Sequence, residues 1–242
     1  MTHHDKIFAK PQPNIPDFSF NDQVASVFPD MISRSVPGYA AIVDGIGNLC
    51  ARVAQPGTRI YDLGCSLGAA TLSMRRQLDD RGCTLVAVDN SEAMINRAAE
   101  HLNAFVSPTP VELVCADIRD IDIEDASMVV LNFTLQFLPP QDRAELMAKI
   151  YRGLVPGGVV VVSEKLRFEG DRVHQLLDEM HLDFKRANGY SELEISQKRT
   201  ALENVMKPDS KLQHYQRFSD AGFSEYSSWF QHLNFASLMA IK

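Results

Sequence analysis

Arg59-Ile-Tyr-Asp-Leu-Gly64-Cys-Ser-Leu-Gly68-Ala-Ala-Thr-Leu-Ser-Met-Arg-Arg-Gln-Leu78 is the stretch that decides the fold. Its first five residues read as a strand, and Ala69 to Leu78 reads as a helix. Between them lie two glycines, placed where a side chain would block a ligand lying across the strand ends and where backbone N–H groups are presented at a helix N-terminus. Glycine turns of this kind also join strands to helices where no ligand binds, so the turn gains meaning only from its surroundings. On its C-terminal side the strand–helix alternation continues. Thr84 to Val88 reads as a second strand, and Ser91 caps a helix that runs to Asn103. Val111 to Ala116 and Ser127 to Asn132 are strands, Gln141 to Leu154 is a helix, and Val159 to Ser163 is a strand. A run such as Val159-Val-Val-Val suits a parallel strand buried on both faces. The pattern is that of a doubly wound α/β sheet.

The flanks are of different character. Residues 1–20 carry Pro11, Pro13 and Pro16 without periodicity and are expected to lie as an arm on the surface or on a partner. Asn21 caps a helix that Pro29 is expected to limit, and Pro37-Gly38 opens a second helix ending at Pro56-Gly57. From Glu164 to Phe218 the chain is too long for a plain crossover; Asp171 to Phe184 and Glu192 to Met206 read as helices of a lid or an oligomer surface. Phe223 to Phe230 and Phe235 to Ile241 form a closing antiparallel hairpin. The expected organisation is one domain over 1–242, with an N-terminal arm and helices (1–55), a nucleoside-binding core (56–163), a helical insert (164–218) and the hairpin (219–242).

Composition limits the function. The 242 residues are 45% hydrophobic and 23% charged, enough for one large core. The most apolar stretch, from Leu154, is broken by Pro156, Gly157 and Gly158, well short of the roughly 18 apolar residues of a membrane span. Met1 to Phe8 shows no basic segment followed by an apolar one, so a cytoplasmic location is expected. Four cysteines without a C-x-x-C pair (Cys50, Cys65, Cys83 and Cys115) read as reduced and mostly buried thiols. A net charge of −7 lacks the basic footprint of a protein that grips nucleic acid, and favours a small-molecule substrate.

Polar residues end the strands around the glycine turn. Asp89-Asn90 closes the second strand, where a carboxylate can accept both hydroxyls of a ribose. Asp117-Ile118 closes the third, with an acceptor for an adenine amino group and an aliphatic side chain for the ring. Asn132 closes the fourth, at the carboxyl edge of the sheet. Each alone could be a solvated strand end; together with Gly64, Cys65 and Ser66 they outline a nucleoside site. A dinucleotide fingerprint requires G-x-G-x-x-G, whereas here Asp62 precedes Gly64-Cys-Ser-Leu-Gly68. A carboxylate at that point repels pyrophosphate but can hold an ammonium group, which favours S-adenosylmethionine. Leu154-Val-Pro-Gly-Gly158 and the final hairpin resemble the class I S-adenosylmethionine-dependent methyltransferases, whose fold is a Rossmann-like seven-stranded sheet.

A narrower resemblance covers Phe20 to Lys242. Phe28-Pro-Asp-Met-Ile-Ser-Arg-Ser-Val-Pro-Gly-Tyr39, Asp62-Leu-Gly-Cys-Ser-Leu-Gly-Ala69, Val88-Asp-Asn-Ser91, Asn132-Phe-Thr-Leu-Gln-Phe137 and Ile195-Ser-Gln-Lys-Arg199-Thr-Ala-Leu-Glu-Asn-Val205 resemble the carboxy-S-adenosyl-L-methionine synthase family of bacterial tRNA wobble-uridine modification. The resemblance implies that S-adenosylmethionine and prephenate are converted to carboxy-S-adenosylmethionine, phenylpyruvate and water, with no metal. Prephenate would lose carbon dioxide and its ring hydroxyl, the hydroxide would take a proton from the sulfonium methyl, and the ylide would capture the carbon dioxide. Such species need closeness and exclusion of water. It further implies Arg199 as the partner of the new carboxylate, which a guanidinium grips through two hydrogen bonds, and Tyr39 as a hydroxyl donor to that carboxylate or a closure of the cofactor site. A homodimer and a downstream tRNA carboxymethyltransferase are the partners implied. A conventional methyltransferase acting on a small molecule or tRNA is the competing reading. No general base is assigned.

Other residues carry blander expectations. His174 and His181 are two helical turns apart, too far for one metal without a third ligand, and His3-His4 is without an acidic or thiol neighbour. Trp229 reads as core, and Arg75-Arg76 and Lys185-Arg186 read as solvated helix faces.

Overall fold

In a computed structural model, residues 4–78 and 81–242 are described. Seven strands, β1 (Arg59–Leu63), β2 (Thr84–Asp89), β3 (Val111–Cys115), β4 (Ala126–Asn132), β5 (Leu154–Lys165), β6 (Glu225–His232) and β7 (Phe235–Ile241), form one sheet in the order β3-β2-β1-β4-β5-β7-β6. β1 to β5 are parallel, while β7 runs antiparallel to β5 and β6 antiparallel to β7. Reversal of strand order beside β1 opens a crevice between the carboxyl ends of β1 and β4, the place where doubly wound sheets bind ligands.

Both sheet faces are covered, and the two-residue period of the strands divides the apolar side chains between them. Ile60, Leu85, Met128, Val130, Val159 and Val161 pack under α2 (Tyr39–Val53) and α3 (Ala69–Gln77), against Ile42, Ile46, Cys50, Ala70 and Met74. Tyr61, Val86, Val129, Leu131, Val160 and Val162 face α5 (Arg143–Gly153) and α8 (Lys211–Ala221), against Leu146, Met147, Ile150 and Phe218. Burying side chains of this size contributes about 1.5–3 kcal/mol each before chain entropy is subtracted. α1 (Asp22–Ser35) and α4 (Glu92–Asn103) build a smaller cluster of Val24, Val27, Met31 and Met94 beside the glycine turn. Cys50, Cys65 and Cys83 are buried free thiols, and Cys115 is exposed. Among the described residues no helix is long and apolar enough to cross a membrane.

The structure corrects several boundaries. Pro29 does not end the first helix; it lies inside α1, which continues to Ser35. Val24, Ala25 and Val27 before the proline and Met31 and Arg34 after it are all buried, so packing on both sides outweighs the lost hydrogen bond. The insert, read with helices only as far as Met206, continues into a further helix, α8. Its signal was present in Ser210-x-x-Gln213, a capping box that satisfies two N-terminal N–H groups reciprocally. β5 begins at Leu154, because Leu154 pairs with Ala126 ahead of the main register.

The arm lies on the chain's own body. Asp5 and Phe8 are buried, and Gln197 of α7 (Glu192–Glu203) donates from its side-chain amide to the carbonyls of Phe8 and Lys10, both at 2.9 Å. His4 does have an acidic neighbour, its Nδ1 lying 3.4 Å from an Asp30 carboxylate oxygen; His3 lies outside the described residues. Arg75 is no solvated face residue either, since it donates to the carbonyls of Thr109, Leu102 and Phe105. Trp229 is only partly buried; it packs against Gly45, where any side chain would overlap its ring.

Candidate active site

A cavity of 610 Å³ occupies the crevice, and every residue singled out from the sequence as a ligand partner lines it: Tyr39, Gly64, Cys65, Ser66, Asp89, Asn90, Asp117, Ile118, Asn132 and Arg199. The glycine turn forms its floor. Gly64 holds φ +81°, and the N–H groups of Gly64 and Cys65 both donate to the Val88 carbonyl, at 2.8 and 2.9 Å. This ties the turn to β2. A side chain at Gly64 would overlap Thr134, so the close approach requires glycine.

Asp89 fixes the next layer. One of its oxygens accepts from the Ser66 N–H and the other from the Ser91 N–H, each at 2.9 Å, so the carboxylate is aimed before any ligand arrives. Burial raises its pKa while those two bonds oppose the rise. Ser66 itself sits at φ +52°, a left-handed conformation uncommon outside glycine. Asp117 is differently placed from the expectation of a free acceptor: Arg119 grips both its oxygens, at 3.0 and 2.7 Å, and bridges to Asp142 at 2.6 Å. The Arg119 guanidinium holds the Asp117 carboxyl below the usual range. Lone pairs remain on Asp117 for an amino group, and Ile118 lies beside it in the wall.

Among the described residues, two of the buried side-chain oxygens that have no partner belong to residues lining the cavity. Asp62 is buried; its Oδ2 accepts from the Thr71 hydroxyl at 2.5 Å, while Oδ1 has none. Asn132 Oδ1 is likewise buried and unpaired. Orphan acceptors in a native interior are uncommon and call for a donor. Both line the cavity, and an α-ammonium with its donors is the complement they lack. Burial pushes the Asp62 carboxyl up to about 6, so at neutral pH it is largely ionised and suited to a cation. Tyr39 stands nearby on the first turn of α2, its ring 6.2 Å from that of Phe133. Burial, with the charge of Asp62, pushes its phenol up, so it stays a protonated donor.

Part of the cavity lining is cationic, and this the sequence did not reveal. Lys165, Lys185, Lys198 and Arg199 all line it, with His181 and Asp178. Lys185 is therefore not the solvated half of a basic pair; only Arg186 is, exposed and paired with Asp183 and Glu192. Lys165 ends β5 and could have been noticed as a fifth polar strand terminus. Lys185 and Lys198 lie on helices of the insert, and nothing local in the sequence distinguishes them. His181, buried, places Nε2 2.8 Å from the Ser35 carbonyl; burial lowers its pKa to about 3, so it is neutral and donates. No group of three or more potential metal ligands occurs among the described residues.

A family model described as a methyltransferase domain matches residues 60–158. A curated relative from Shewanella putrefaciens, carboxy-S-adenosyl-L-methionine synthase, is 64% identical over 241 residues, covering 100% of this chain and 99% of its own. The chain belongs to the carboxy-S-adenosyl-L-methionine synthase family. Solved structures share the class I methyltransferase fold at low identity. Human N-acetylserotonin methyltransferase in complex with SAM superposes with TM-score 0.61 at 17% identity, over 91% of this chain and 55% of that one. An O-methyltransferase family protein from Burkholderia thailandensis gives 0.65 at 15%, over 91% and 59%. The sheet and its crevice are thus those of the methyltransferases, while the full-length sequence is that of the synthases.

Proposed function

We propose that this chain converts S-adenosyl-L-methionine and prephenate to carboxy-S-adenosyl-L-methionine, phenylpyruvate and water. The observation that carries this reading is one cavity lined by two chemically different groups: orphan acceptors at Asp62 and Asn132, and cations at Lys165, Lys185, Lys198 and Arg199. The first suits the amino-acid part of the cofactor. The second suits a dianion, whereas transfer of a methyl group alone requires no such charge. The named relatives support the same reading.

In this reading Asp89 accepts from the ribose hydroxyls, Asp117 and Ile118 receive the adenine, and the glycine turn lets the backbone approach the amino-acid chain. Asp62 and Asn132 fix the α-ammonium, which holds the sulfonium methyl toward Tyr39 and Arg199. Arg199 retains the transferred carboxylate through paired hydrogen bonds, and Tyr39 donates to it. Phe18 and Phe20 of the arm and Phe133, Phe137 and Phe235 in the walls limit water around the reacting carbon. The base is the hydroxide released by the substrate, so no protein carboxylate is needed for proton removal.

Incubation with both substrates is expected to give a sulfonium product heavier by the mass of carbon dioxide, and Arg199→Ala to lose it while still binding S-adenosylmethionine. Accumulation of S-adenosylhomocysteine with an acceptor, and no carboxylated product, would overturn the reading. The product then serves a tRNA carboxymethyltransferase in the cytoplasm; the net charge of −7 fits an enzyme that does not itself hold the tRNA. Val173, Leu176 and Met180 expose an apolar stripe on α6 (Asp171–Ala187), and a second copy of the chain is its proposed occupant, to be checked by light scattering.

A further inference from the structure

The cations lining the cavity are not equivalent. Lys165 is neutralised, with Nζ 3.2 Å from Asp178 Oδ1. Lys198 is held on the side of the arm: Nζ donates to Ser35 Oγ at 2.9 Å and lies 3.8 Å from Asp5 Oδ2, which also accepts from the Tyr190 hydroxyl. Asp178 is engaged by Lys165 and Asn234, the latter at 2.8 Å, and makes no hydrogen bond or ion pair with Lys185. Lys185 and Arg199 are left, and neither makes an ion pair or side-chain hydrogen bond with another described residue while both face the cavity. An enclosed ammonium among like charges is costly unless an anion arrives to meet it. Burial, with Lys198, Lys165 and Arg199 adding repulsion against the attraction of Asp178, lowers the Lys185 pKa to about 7.

Resting on the reaction proposed above, which gives Arg199 the carboxylate that is transferred, we infer that Lys185 binds the other carboxylate of the substrate, the 2-oxo acid group that phenylpyruvate retains. Two cations on one cavity wall, the partly buried Lys185 and the exposed Arg199, neither paired with a described residue, thereby favour a dicarboxylate. Lys185 lies one turn of α6 from His181, and the neutral His181 ring fills the wall without competing for the anion. The groups facing Lys185 are Lys165 on β5, Asp178 and His181 on α6, and Lys198 and Arg199 on α7. Burial also lowers the pKa of Lys198, to about 8.

The test uses phenylpyruvate as the probe, because it carries the retained carboxylate and its binding needs no turnover. Affinity of phenylpyruvate for the full-length protein saturated with S-adenosylhomocysteine is measured by calorimetry for wild type, Lys185→Met and Lys185→Arg. Loss of a buried charge partner predicts at least about tenfold weaker binding for Lys185→Met, with partial recovery in Lys185→Arg and S-adenosylhomocysteine affinity within about twofold throughout. Equal phenylpyruvate affinity in wild type and Lys185→Met overturns the assignment, as does an equal loss for both ligands. If Lys185→Met does not fold, the pH profile decides. Wild-type affinity should fall as pH rises above about 7, and the fall should be displaced to the Lys198 range in Lys185→Arg, whose guanidinium stays charged; the same midpoint in both proteins overturns it. Failure of the reaction reading shows separately, as absence of carboxylated product from wild type and prephenate.

Discussion

Replacing Asp62 by Asn should make the ligand-free protein more stable and the cofactor complex weaker, two effects of opposite sign from one atom. Burial lifts the carboxyl from 3.8 to about 6, so keeping it ionised at neutral pH costs the empty protein about 3 kcal/mol. Asn retains an oxygen for the Thr71 hydroxyl, but its amide nitrogen would take the position of the unpaired Oδ1 and be unpaired itself, which returns about 1–2 kcal/mol. The net gain is about 1–2 kcal/mol, or about 3–6 °C in Tm for a chain of this size. The sign with pH follows from the raised folded-state value. Below about pH 3.8 the carboxyl is protonated in both states and carries no penalty; the penalty grows between 3.8 and 6 and is complete above that. The advantage of Asp62→Asn should therefore be full at pH 7.5 and reduced at pH 5. S-adenosylmethionine affinity at pH 7.5 should fall about 10- to 100-fold, the effect of losing a charged hydrogen bond to the ammonium. Melting of ligand-stripped protein across pH 5–8 and calorimetric titration of the cofactor read both. A variant that melts lower than wild type at pH 7.5, or binds the cofactor within twofold of wild type, would refute the reasoning.

Gly64→Ala combines a left-handed φ of +81° with overlap on Thr134, and should cost about 2 kcal/mol in urea unfolding while weakening cofactor binding. Arg143→Met removes a fully buried guanidinium that pairs with Asp209 at 2.8 Å and donates to the Leu138 carbonyl; a loss of about 3–5 kcal/mol in denaturant unfolding is expected. Ser210→Ala removes the cap of α8 and should cost about 1 kcal/mol, seen in the same assay, with the chemistry unaffected.

The strands, their order of alternation with helices and the glycine turn were legible because each is written in local sequence. Period-two and continuous apolar runs mark strands, Ser91 marks a helix start, and Gly64 and Gly68 mark positions that need positive φ. Pro29 misled because local propensity favours a break there, whereas the burial of Val27 and Met31 on either side is a tertiary quantity. The start of α8 is also written locally, in the Ser210-x-x-Gln213 capping box. The acidic and amide strand ends could be named from the sequence as ligand partners, since the strand-end position alone brings them to one edge of a parallel sheet.

What the sequence could not supply was the electrostatic pairing inside the cavity. Lys165, Lys185, Lys198 and Arg199 are spread over β5, α6 and α7, and their linear neighbours do not say which are neutralised. That is decided by Asp178 reaching Lys165, by Asp5 of the arm coming to Lys198, and by no carboxylate among the described residues pairing with Lys185 or Arg199. Likewise Asp117 was readable as a carboxylate, but its capture by Arg119 and the link to Asp142 exist only once the strand ends are folded together. Sequence by itself determined the sheet, the glycine turn and the residue types at its rim, because backbone preferences and apolar periodicity act over a few residues. Tertiary structure alone decided which charges remain unpaired, because Coulomb interactions and burial depend on distance through space and not along the chain.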